Sequence, residues 1–97
     1  MAKIKDLKKD IDLLMSMVLN DCFYIIEYNK KVDTQAVMKI AEEIIVKHRE
    51  FRIRINNPEG DNEPKEVKQF YNKLSNEALE TANQAFERLS EEVKKVA

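Results

Sequence analysis

From Ile4 to about Asn29 the apolar residues Ile4, Leu7, Ile11, Leu14, Val18, Cys22 and Ile25 recur at steps of three and four. That spacing lines one face of a helix of 3.6 residues per turn, and no Gly or Pro interrupts it. Val37, Ala41, Ile44, His48, Phe51 and Ile55 follow at steps of four and three, after Asp33, whose carboxylate suits an N-cap over Gln35 and Ala36. Val67, Tyr71, Leu74, Ala78, Ala82, Ala85, Leu89, Val93 and Val96 then run to the C-terminus at close to 3.6 residues per step.

One stretch has a second period. In "VKHREFRIRIN", residues 46–56, Phe51, Ile53 and Ile55 alternate with Arg52 and Arg54, as in a half-exposed strand. The helical period covers the whole segment from Asp33 to "NNP", whereas the alternation covers only five residues, so the helix is preferred. "NNPEGDNEP" holds the single Gly and both Pro, and it is the clear loop. Pro64 fits the first turn of a third helix, where its missing N–H costs nothing. Ser75 or Asn76 offers a cap at which that helix could break. Three long helices, about 3–29, 33–56 and 64–96, joined by short connections predict an all-α chain: a single domain over 1–97, folded as an antiparallel up-down-up three-helix bundle.

Composition supports this picture. Of 97 residues, 36% are charged and 43% apolar, a profile that suits amphipathic helices better than a sandwich or a disordered chain. A net charge of −1 gives no general attraction to nucleic acid or anionic lipid. The lone Cys22 cannot form an intrachain disulfide, which points to a reducing setting. Lys3, Lys5, Lys8 and Lys9 precede an apolar run, but Asp6, Asp10 and Asp12 lie among them, and Asn20 and Asp21 interrupt the run. Neither a signal peptide nor a membrane span is expected, so the expected location is cytoplasmic.

Candidate chemistry is sparse. His48 and Cys22 are the only imidazole and thiol. If the first two helices reverse near 31–32, position 48 lies level with about 15. That leaves roughly 10 Å between His48 and Cys22 along the axis, too far for a nucleophile and its base. Zinc needs three or four ligands, and a di-iron site needs paired Glu-x-x-His motifs that are absent here. One Gly cannot build a phosphate loop. Ser16, Ser75 and Ser90 have no base in reach, and the glutamate pairs at 42–43 and 91–92 read as solvated helix faces. No catalytic residue, metal or cofactor is expected, and the chain does not read as an enzyme. His48 reads as a partly buried histidine bonded to Tyr71 or Asn72 of the third helix, with a pH-sensitive packing role as its functional alternative. Ala78, Ala82 and Ala85 form a small-residue stripe expected to pack against bulky side chains such as Phe23 or Ile26.

Apolar surface, in contrast, is in excess. On a helical wheel Leu13, Met17, Tyr24 and Tyr28 form a second arc outside the core arc of the first helix. Val46 and Ile53 lie seven apart, opposite Ile44 and His48. Rows of exposed apolar residues mark interfaces, and pairing into a homodimer is the commonest way to close one. These six positions are the candidate self-association surface. The competing function is an adaptor for nucleic acid or an acidic partner. In an up-down-up bundle, residues 3–12, 47–54 and 59–68 share one end, which carries ten Lys and Arg against eight Asp and Glu. Lys47, Arg49, Arg52 and Arg54 are its densest basic patch. Cations near a helix C-terminus also complement the helix dipole, and a nucleic-acid surface concentrates charge more strongly, so nucleic acid is not the expected partner.

The opening "KIKDLKKDID", followed by an apolar helix and two further helices, resembles short uncharacterised all-helical bacterial proteins, a domain of unknown function. The resemblance implies a helical fold and carries no activity. The expected function is that of a small structural or protein-interaction protein acting through its helix faces and self-associating. An enzyme whose site lies between subunits is a further alternative.

Overall fold

In a computed structural model, which describes the backbone of residues 4–57 and 64–97, the three periodic segments are three helices. They are α1 (Ile4–Tyr28), α2 (Thr34–Asn56) and α3 (Pro64–Lys94). Each packs against both of the others, as an all-α three-helix bundle requires. No strand occurs among the described residues, and 51–55 continue α2, so the alternation there was incidental to the helical period. α3 runs unbroken through Ser75 and Asn76. Residues 58–63 of the expected loop lie outside the described residues.

The helix ends explain the boundaries. The Asp33 carboxylate accepts from the backbone N–H groups of Gln35 at 3.1 Å and Ala36 at 3.2 Å, capping α2 as its spacing suggested. Asn29 organises the preceding turn: its carbonyl accepts from Val32 N–H at 3.3 Å and its side chain from Lys31 N–H at 3.2 Å. Val32 is buried there. At the far end of α2 the last carbonyls need partners. Asn57 donates its side-chain amide to Ile53 O at 2.9 Å and its backbone N–H to Arg54 O at 3.2 Å. The Tyr71 hydroxyl donates to Ile55 O at 3.3 Å, tying α3 to this end.

The core is one continuous cluster. α1 contributes Leu7, Ile11, Met15, Val18 and Cys22, and α2 contributes Val37, Ile40, Ala41, Ile44, Phe51 and Ile55. Leu74, Ala78, Ala82, Ala85 and Leu89 come from α3. Burial on α1 is centred about 20° round the helix from the arc expected from Leu14 and Ile25. Met15 is fully enclosed, whereas Leu14 and Ile25 are only partly buried. Phe23, expected over the alanine stripe, is 49% exposed. It follows the buried Cys22 by one residue, and so points about 100° away from it. Ile26 does pack against the core. The bundle is long and thin, 52 × 18 × 17 Å, with a radius of gyration of 15.7 Å against about 13 Å for a compact chain of this length. A thin bundle leaves much of each helix facing outward.

Candidate functional site: the outer face of α1 and the clamp beside it

A polar cluster joins α1 to α2. His48 Nε2 lies 2.5 Å from Asp12 Oδ1, and Arg52 meets the same carboxylate through both oxygens, Nε to Oδ1 at 3.2 Å and Nη2 to Oδ2 at 3.0 Å. His48 and Arg52 are four residues apart on α2 and therefore share a face. The partner of His48 is thus on α1, and neither Tyr71, whose hydroxyl serves Ile55, nor Asn72 is the residue it meets. The level estimated for position 48, near residue 15, was within one turn of the observed position 12. The signal for Asp12 was its place on the α2-facing flank of α1, about 100° from the core centre. Hydrogen bonds from Arg52 hold the Asp12 carboxyl below its ordinary range, with His48 adding to the effect and partial burial opposing it.

The cluster is saturated with its own contacts. Among the described residues no buried side-chain polar atom lacks a hydrogen-bond partner, and no three His, Cys, Asp or Glu side chains are grouped to hold a metal ion. Cys22 is buried, and burial followed by the nearby Asp21 charge pushes its thiol up, away from the thiolate. It stands ten residues along α1 from Asp12, about 15 Å, so the structure does not bring it to His48. A shallow recess on α2 lined by Ile45, His48, Arg49, Arg52, Ile53 and Asn56 opens beside the clamp.

The basic patch is largely spent on neighbouring carboxylates. Arg52 is on Asp12, Arg54 Nη1 is 2.5 Å from Glu77 Oε2, and Lys47 is 3.6 Å from Glu50. Arg49 alone of the four has no ion pair among the described residues. Arg88 of α3 bridges to Glu43 of α2. The α2–α3 side of the bundle is therefore laced with ion pairs.

The surroundings of α1 differ. Leu13, Met17, Tyr24 and Tyr28 are 61%, 46%, 64% and 67% exposed, in one row down the outer side of the helix. Tyr24 and Tyr28 rest on each other, with ring centroids 4.7 Å apart. From Leu13 to Ile26 the only charged residue is Asp21. Fourteen residues of a surface helix with one charge have the composition of a helix enclosed on all sides, yet this bundle encloses only one. Val46 and Ile53 are exposed as well, but they stand about 180° from the buried face of α2 and do not extend the α1 row. Phe23, Met38, Ile45 and Leu79 are further exposed apolar side chains. None of the four was read as a surface residue in the sequence, although full wheels of the three helices would have placed them on the flanks.

No protein-family model matches the chain, nor does any curated protein or solved structure. No helix among the described residues is long and apolar enough to cross a membrane.

Proposed function

We propose that the protein is a small structural or protein-interaction module that works by self-association through the outer face of α1, most simply as a homodimer. The observation that carries this is the exposed row Leu13, Met17, Tyr24 and Tyr28 within a stretch, 13–28, whose charged residues are Asp21 and Glu27 alone. Tyr and Met are enriched in protein interfaces, and charge is depleted at their centres. The row has both properties. The role is non-catalytic, a reading supported by the Asp12–His48–Arg52 cluster, which spends its hydrogen bonds on joining α1 to α2. The cytoplasm is the proposed setting, in keeping with a lone buried thiol and no disulfide.

Tyrosine fluorescence tests this directly, because the chain has no Trp and three Tyr, two of them on the α1 row. Acrylamide quenching should weaken as protein concentration rises, because a second chain then covers Tyr24 and Tyr28. Quenching that stays constant across the dilution series, at the level expected for exposed rings, would remove the basis for self-association through this face.

A further inference from the structure

Phe23, Met38 and Ile45 are exposed apolar side chains outside the α1 row. They share another place, the groove between α1 and α2 on the side of the Asp12 clamp. On α1, Asp12, Ser16, Leu19 and Phe23 follow at steps of four, three and four, so Phe23 lies about 20° round the helix from Asp12. On α2, Met38, Ile45 and Arg52 follow at steps of seven, each drifting only about 20°. Asp12 meets both His48 and Arg52, which sets position 23 level with about position 38 on the antiparallel neighbour. Phe23 and Met38 therefore flank one level of the groove. Ile45 stands about 10 Å further along it, and Arg52 about 10 Å beyond that. This face is roughly 110° round α1 from the row of Leu13, Met17, Tyr24 and Tyr28.

The far end of the groove is cationic and already ordered. Arg52 binds Asp12 side-on, through Nε and Nη2, which holds its guanidinium in place. Its Nη1 has no partner among the described residues. With the second N–H of Nη2 it leaves an end-on fork of the shape that receives a carboxylate. Arg49, with no ion pair among the described residues, lines the same recess, between Ile45 and Ile53. A guanidinium fixed beforehand loses little side-chain freedom when it is bound, so more of the contact survives as affinity.

We propose that this groove takes an amphipathic helix of a partner protein. Its apolar face lies on Phe23, Met38 and Ile45, and an Asp or Glu in its first turn meets Arg49 and Arg52. The spacing selects a helix, because contact points every seven residues match the repeat that a second helix presents. An acid in the first turn also complements that helix's own dipole, so the partner runs antiparallel to α2. Glu42, exposed between Met38 and Ile45, has no ion pair among the described residues and selects a Lys or Arg about two turns after the acid. The site is independent of self-association through the α1 row.

A synthetic helical peptide tests this: leucines along one face, two glutamates in the first turn and a lysine two turns later. Fluorescence anisotropy of the labelled peptide reads its affinity for the full chain, and backbone amide shifts of the isotope-labelled protein locate it. The shifts should gather around Phe23 and from Met38 to Ile53. Exchanging the two glutamates for glutamines should weaken binding about fivefold, the scale of a partly exposed ion pair. Arg49→Glu should weaken the glutamate peptide at least as much and remove its advantage over the glutamine peptide. Arg49→Ala introduces no charge, should act in the same direction, and decides the matter if Arg49→Glu loses its helical circular dichroism. A wild type that binds neither peptide, that binds both alike, or whose shifts fall at Met17 and Tyr24 instead, overturns the proposal. So does a fall in the mass of the chain in solution on Arg49→Glu, which would give the groove to a second copy.

Discussion

Replacing Asp12 by Asn removes the charge that holds His48 and Arg52 to α1 while keeping the side chain's shape. Hydrogen bonds to charged groups contribute about 1.5–3 kcal/mol where they are well enclosed. Exposed ion pairs contribute about 0.2–1 kcal/mol because water and salt screen them. The Asp12 side chain is 35% exposed and that of His48 25%, so the clamp lies between these limits. The Asn oxygen can still accept one hydrogen bond. A loss of about 1 kcal/mol is therefore expected, which for a domain of this size lowers Tm by about 4–8 °C at neutral pH. The effect has a pH signature. The folded-state carboxyl of Asp12 titrates below its ordinary 3.8, so the unfolded chain binds the proton more readily. Its stabilisation is complete above about pH 4 and disappears as pH falls through the lowered folded value. The gap in Tm between wild type and Asp12→Asn should thus be present at about pH 5 and above and close as pH falls below about 4. Thermal melts followed by circular dichroism across that range measure it. Equal Tm values from about pH 7 to 5, or a gap that survives undiminished in strong acid, would refute the clamp as a source of stability.

The other expectations concern core, cap and thiol. Ala82→Leu forces extra carbon into a fully buried position where α3 is closely packed, and should destabilise by about 1–3 kcal/mol in urea titration. Asp33→Ala strips the α2 N-terminus of its two side-chain hydrogen bonds, with an expected cost of about 1 kcal/mol by the same titration. Cys22 should react slowly with a disulfide reagent in the native protein and rapidly in urea, because burial both hides the thiol and disfavours the thiolate. Fast native reaction would show that α1 opens near its middle.

The helices were readable because each repeats its apolar face over many turns, and summed periodicity outweighs a local accident such as the alternation at 51–55. The cap at Asp33 was readable because it needs only neighbours two and three residues away. Contacts between helices were harder. The partner of His48 depends on where two helices cross and on how each is rotated about its axis. A rotation of about 20° was enough to bury Met15 fully, leave Leu14 partly exposed and put Asp12 beside His48. Phe23 illustrates the same limit. Size suggested a core role, but its angle places it on the flank. The exposed row was visible on the wheel as an arc lying far enough from the core to survive such an error.

The most direct test of the central claim is the mass of the wild-type protein in solution by sedimentation equilibrium over a wide dilution series, run beside Met17→Glu. A charge placed in a closed interface without a partner is expected to cost several kcal/mol, enough to separate the chains. The wild type should sediment at about twice 11.4 kDa at high concentration, and the variant, equally helical, at 11.4 kDa. A wild type that stays at 11.4 kDa at the highest concentration would contradict the claim that a second copy covers the outer face of α1.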